Sequence, residues 1–135
     1  MKKYLIIILL LLSTSVLGCL TNVPEEDNGE SVKYISIPVS EAKIKVDSGE
    51  YFILDVRTQE EYDAGHIANS LLIPHTDISD RLDEVPEDMP ILVYCRSGRR
   101  SAIASQALID NGYSEVYNMQ GGFNEWENAG YPVQK

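Results

Sequence analysis

Short apolar runs alternate with stretches of helical periodicity from Tyr34 to the C-terminus. The runs YISI (34–37), YFILDV (51–56), SLLIP (70–74), ILVY (91–94) and EVYNM (115–119) predict strands. Unbroken apolar sequence at 51–56 and 91–94 suits strands covered on both faces. Helices are predicted over 39–49, with Ser40 as cap and Gly49 as stop, and over 58–65. Three more are predicted over 77–85, ended by Pro86, over 100–112, ended by Gly112, and over 123–130. This alternation predicts an α/β fold: a mostly parallel sheet of about five strands in three layers, with helices on both faces. Ligands of such sheets bind beyond the carboxyl ends of the strands. No internal repeat is present.

The first residues follow a different pattern. In MKKYLIIILLLLSTSVLGC, Lys2 and Lys3 precede a short apolar core, Leu5 to Leu12, and small residues lead to Gly18-Cys19. The apolar run is short for a membrane span, so residues 1–18 read as a signal peptide. VLGC resembles a bacterial lipoprotein cleavage box, with Val16 where leucine is more usual and Cys19 as the residue to be lipidated. Ordinary secretion and an uncleaved anchor are the alternatives. Residues 20–32, LTNVPEEDNGESV, are polar and acidic and carry Pro24 and Gly29. Residues 19–32 are therefore expected to be the lipidated cysteine and a flexible tether, reaching at most ~45 Å when extended. Residues 33–135 form one domain, sized for a single core.

Charge narrows the partners. The chain of 135 residues carries a net charge of −10. Removing Lys2 and Lys3 leaves nine basic side chains against 21 acidic ones, or −12. A net field of that sign excludes nucleic acid and anionic headgroups as ligands of the whole surface. Membrane attachment is expected through acyl chains on Cys19, and the place is extracytoplasmic, in the cell envelope or periplasm.

Cys19 and Cys95 are the two cysteines. If Cys19 is acylated, Cys95 lacks an intramolecular disulfide partner, which is unusual outside the cytoplasm. Its context is ILVYCRSGRRSAIA: a strand, a thiol, three arginines, then a helix. The segment from Cys95 to Arg99 must turn tightly, which Gly98 permits. Such a loop aims successive amide N–H groups inward and forms an anion nest at a helix N-terminus. A thiol there ionises more readily than a free one. Arg96, Arg99 and Arg100 add positive charge at the rim, local enough to prevail over a net negative field screened within ~8 Å. A buried, inert cysteine at a strand end is the bland alternative; beside such a thiol the arginines would gain little.

CRSGRRS (95–101) resembles the active-site loop of rhodanese-like sulfurtransferases. LDVRTQEEYDAGHIANSLLIP (54–74) is similar to the family's N-terminal signature at Asp55, Arg57, Glu61-Tyr62, Gly65-His66-Ile67 and Pro74. GGFNEWENAGYPV (121–133) is similar to its C-terminal signature at Gly121, Gly122, Trp126, Gly130 and Pro132. Gln59 departs from the proline common there and affects only a helix start. The resemblance implies a rhodanese-like three-layer fold and a double displacement. Cys95 would take the outer sulfur of a small anionic donor such as thiosulfate as a persulfide, and cyanide, a thiol or a protein would remove it. The loop residues Arg96, Ser97, Gly98, Arg99, Arg100 and Ser101 would bind substrate, the arginines holding the donor's sulfonate. No metal or organic cofactor is implied. The resemblance also covers modules that carry sulfur or regulate without catalysis, the alternative to an enzyme; Cys95 with its full loop favours chemistry.

Other readings are less favoured. Phosphatases and arsenate reductases of related fold usually place five residues between cysteine and arginine, whereas four separate Cys95 from Arg100. His66 is expected to be structural rather than a general base, and His75 to lie in an exposed loop. Arg57 and Glu61, four apart, are expected to brace each other as an ion pair. With Asp55 and Trp126 they belong to the structural motif. Phe123 and Trp126, three apart, suit core or pocket rim. The acidic run 80–88 is expected to be solvated surface.

Overall fold

The computed structural model describes residues 33–135, so the predicted leader, Cys19 and the acidic tether lie outside the described residues. Five strands build one sheet: β1 (Ile35–Pro38), β2 (Phe52–Asp55), β3 (Leu71–Leu72), β4 (Ile91–Tyr94) and β5 (Val116–Gln120). Their order is β1-β5-β4-β2-β3, and every neighbouring pair is parallel. Parallel neighbours require crossovers. The helices α1 (Val39–Ser48), α2 (Gln59–Ala64), α3 (Arg99–Asp110) and α4 (Gly122–Asn128) lie between or after the strands.

Two cores flank the sheet, and strand alternation sorts side chains between them. Ile91, Val93 and Cys95 face one core with Leu54, Val56, Ala104 and Leu108. Leu92 and Tyr94 face the other with Ile53, Ile67, Met119, Phe123 and Trp126. All four residues of β4 are buried. This explains its unbroken apolar sequence and places its carboxyl end, with Cys95, at the centre of the sheet edge.

Three local expectations need correction. The segment 77–85 is not one helix but two 3₁₀ turns, Ile78–Asp80 and Leu82–Glu84. Pro86 has no N–H to give the Leu82 carbonyl. That oxygen instead accepts from the Val85 N–H at 3.0 Å, closing a 3₁₀ turn, and from the Tyr113 hydroxyl at 3.0 Å. Helix α1 is capped at Pro38 rather than Ser40, without a side-chain cap bond, and ends at Gly49 as expected. His75 is half-buried rather than exposed, because its N–H is drawn to the Val56 carbonyl at 3.1 Å.

Candidate active site

Cys95 follows β4 directly, and four residues later α3 begins. The turn between them is closed by Gly98, at φ 96°. A Cβ there would lie 3.2 Å from the Gly121 nitrogen and 3.3 Å from the Met119 oxygen. Position 98 thus needs both the left-handed backbone and the missing side chain. The Gly98 N–H donates to the Cys95 Sγ at 3.1 Å, and the Ser101 hydroxyl lies 3.3 Å from the same sulfur. Burial pushes the Cys95 thiol up. The Ser101 hydroxyl and the amides of Ser101, Ser97 and Gly98 outweigh burial, and its pKa falls below the ordinary thiol value.

The loop is held from behind. Helix α4 starts against it, and its amides of Phe123 and Asn124 donate to the carbonyls of Cys95 (2.8 Å) and Arg96 (3.0 Å). This approach depends on Gly122, at φ 59°, where a Cβ would lie 2.6 Å from the Cys95 and Arg96 oxygens. With their carbonyls tied back, these residues leave the inner side of the loop to N–H groups. Asn118 on β5 adds a second brace. Its Oδ1 accepts from Ser101 Oγ at 2.6 Å, and its Nδ2 donates to the Gly98 carbonyl at 3.3 Å. Sequence reasoning missed Asn118. A polar residue between Tyr117 and Met119, inside the strand EVYNM, was the available signal.

The rim differs from expectation. Glu61 does not pair with Arg57. It reaches across to the loop, where Oε1 accepts from Arg96 Nε (2.8 Å) and Arg100 Nη2 (2.9 Å), and Oε2 from Arg100 Nη1 (2.8 Å). The Arg100 guanidinium, foremost, holds the Glu61 carboxyl far below the usual carboxylate range; the Thr58 amide and Arg96 contribute, against the opposing effect of burial. Arg99 makes no ion pair among the described residues, and its side chain is exposed.

Arg57 instead pairs with Asp55, Nη2 to Oδ2 at 2.6 Å, and both side chains are fully buried. It also donates to the Gly65 carbonyl at 2.7 Å, and its guanidinium lies 4.1 Å over the Phe123 ring. This buried charge pair is satisfied by neighbours and ties the N-terminal signature to α4, except that Arg57 Nη1 has no partner. His66 stacks on Tyr62 with centroids 3.7 Å apart, and its Nδ1 lies 3.0 Å from the Tyr62 carbonyl oxygen. Trp126 is buried and donates to the Pro132 carbonyl at 2.9 Å. The structure therefore gathers Cys95, Gly98, Ser101 and the amide of Ser97 at the thiol. Arg96, Arg100 and Glu61 form an adjoining cluster, while Asp55, Arg57, His66 and Trp126 brace the frame.

Comparison with known proteins identifies the family and the fold. Residues 38–129 match the model of the rhodanese-like domain. The chain belongs to the rhodanese-like family. The thiosulfate sulfurtransferase GlpE of Coxiella burnetii is 35% identical over 94 residues, covering 70% of this chain and 88% of that protein. The protein YqhL of Bacillus subtilis is 39% identical over 74 residues, covering 55% of this chain and 59% of its own length. A rhodanese-related protein of Thermoplasma volcanium superposes with a TM-score of 0.69 at 34% identity, over 75% of this chain and 98% of that one. The fold expected from the sequence is thus the observed one, a rhodanese-like sheet, here wholly parallel.

In this rhodanese-like domain the thiol is more enclosed than the sequence suggests. Cys95 has 0% of its surface exposed. Its sulfur nevertheless meets polar donors rather than hydrocarbon alone, which separates it from an inert core cysteine. Two surface clefts lie elsewhere. One is at the amino end of β4 beside Glu87, Pro90 and Tyr113, the other beside β3 among Tyr62, Leu72 and Arg81. Neither cleft is lined by Cys95. Among the described residues, no cluster of three His, Cys, Asp or Glu side chains could hold a metal ion.

Proposed function

We propose that the protein transfers sulfane sulfur through a persulfide at Cys95. The observation carrying this reading is the convergence of the Gly98 N–H and the Ser101 hydroxyl on one sulfur, at 3.1 and 3.3 Å. Relatives of the family named as sulfurtransferases support it. With thiosulfate, the Cys95 thiolate attacks the outer sulfur. A new S–S bond forms, the donor's S–S bond breaks, and sulfite leaves with the electron pair. The persulfide anion has one negative charge, as the thiolate had, so the same N–H groups serve both. A thiophilic acceptor (cyanide, a thiol or a protein) then takes the outer sulfur and restores the thiolate.

The leader sequence supports an extracytoplasmic place, with Cys19 lipidated and the domain held near a membrane. The enclosure of Cys95 favours one further reading, a sulfur carrier that yields its sulfur when a protein partner opens the loop. Intact mass decides first. After thiosulfate the protein should gain one sulfur atom, which cyanide removes, and Cys95→Ser should gain none while keeping its fold. Sulfur uptake by Cys95→Ser, or none by the wild type with thiosulfate, mercaptopyruvate or polysulfide, would refute the persulfide.

A further inference from the structure

An anion already sits in the arginine cluster beside Cys95, and the protein supplies it. Glu61 presents a planar carboxylate to the fork of Arg100, with both Nη groups engaged, and Arg96 adds a third bond. This is the bidentate geometry in which arginine takes a carboxylate or sulfonate ligand. The carboxylate is not free to leave. Its Oε2 also accepts from the Thr58 amide (3.0 Å) and hydroxyl (3.1 Å), while the Glu61 amide donates to Thr58 Oγ1 at 3.2 Å. Displacing Glu61 would break the capping box of α2 together with two ion pairs. The Glu61 side chain is 17% exposed, so water screens it only in part.

Charge then discriminates among donors. Arg96 and Arg100 are balanced by Glu61 and a Cys95 thiolate, and the exposed Arg99, next along the chain to Arg100, leaves the loop one net positive charge. A donor with one negative charge brings that sum to zero. The thiosulfate dianion overshoots it, with Glu61 holding the two guanidiniums that would have met the sulfonate.

We infer that Glu61 is a specificity-determining residue, a built-in anion that favours sulfane donors of one negative charge or none, such as organic persulfides and thiosulfonates, over inorganic dianions. The inference rests on the sulfur-transfer reading of Cys95. For an organic persulfide, the thiolate attacks the outer sulfur of R–S–SH. The S–S bond breaks, R–S⁻ leaves with the electron pair, and the proton stays on the transferred sulfur.

The test has two arms. The first needs no sulfur transfer: Cys95 alkylation by anionic iodoacetate and neutral iodoacetamide, compared in wild type and Glu61→Gln. A change in loop opening moves both rates alike, whereas their ratio reads the charge near the thiol. Glu61→Gln should raise the iodoacetate-to-iodoacetamide ratio about fivefold, the order expected for one unit charge acting through a partly aqueous medium. An unchanged ratio overturns the inference. The second arm uses the wild type and survives a variant that fails to fold. Methanethiosulfonate, a monoanion, should exceed thiosulfate in kcat/KM after each is normalised to its reaction with free cysteine. Equal or reversed values overturn the inference. If no donor yields a persulfide, the sulfur-transfer reading falls and the donor preference with it, while the alkylation ratio separately reports the field of Glu61.

Discussion

Ser101→Ala tests whether the loop ionises its thiol by hydrogen bonding. The Ser101 hydroxyl is fully buried and has one proton for two acceptors, Cys95 Sγ at 3.3 Å and Asn118 Oδ1 at 2.6 Å. When the thiol is neutral, the shorter contact to Asn118 takes the proton. When the sulfur is ionised, donation to it gains the larger, charge-assisted energy. A hydrogen bond to a charged group contributes about 1.5–3 kcal/mol. Sulfur is a diffuse acceptor and the contact is long, so the lower end applies. At about 1.4 kcal/mol per pKa unit, removal of the hydroxyl should raise the thiol pKa by about one unit. The Gly98 N–H and the amides of Ser97 and Ser101 remain, so ionisation is weakened and not abolished.

The assay is the rate of iodoacetamide alkylation against pH. The wild-type midpoint should lie below that of free cysteine, and that of Ser101→Ala about one unit above the wild type's. Below both midpoints the variant should react about tenfold more slowly; above both, the rates should converge. Stability carries the same sign. A lowered thiol pKa adds stability that is complete above the unfolded-state pKa and is lost as pH falls through the folded one. Raising the folded value narrows that window from below. A midpoint unmoved by the substitution refutes the role of the hydroxyl, and a wild-type midpoint at or above free cysteine refutes the loop's effect as a whole.

Gly122→Ala should displace the loop, because its Cβ would enter the carbonyl oxygens of Cys95 and Arg96 at 2.6 Å. Loss of the Phe123 and Asn124 amide bonds, about 1 kcal/mol each, and a left-handed alanine, about 1 kcal/mol, should lower Tm by roughly 10 °C or more and abolish persulfide formation; a wild-type melt and activity would refute the close-approach argument. Tyr94→Phe removes the hydroxyl that accepts from the Ile67 N–H at 3.1 Å. Leaving that buried donor unpaired should cost about 1–3 kcal/mol in chemical denaturation without moving the Cys95 alkylation midpoint; unchanged stability would show that another acceptor takes its place.

Much of the fold was legible because it is written in local periodicity. The run ILVY is buried on both faces and forms the strand predicted for it, and Gly49 ends α1 as its place after a helical stretch suggests. The loop was legible for the same reason: cysteine, glycine and helix start are neighbours in sequence, so their hydrogen bonds span only three to six residues. Where local pattern and tertiary contact competed, contact prevailed. The segment 77–85 has helical spacing, yet its backbone leaves the helical region at Arg81, at φ −127°, and two short turns result, held to the domain by the Tyr113 hydroxyl at the Leu82 and Val85 carbonyls.

The partners of Glu61 were decided by the tertiary structure alone. A spacing of four joined Arg57 to Glu61 on paper, but Arg57 is buried against Asp55, and Glu61 meets arginines 35 and 39 residues away. Asn118 reaches Ser101 and Gly98 only because β5 lies beside β4. The amino-acid sequence by itself determined the strands, the place of the Cys95 thiol after β4 and the tight turn that cradles it, since these depend on residues adjacent along the chain. Which charges meet across the site, and how deeply the sulfur lies beneath them, was settled by folding, because packing the sheet brings together groups whose separation along the chain holds no record of their distance in space.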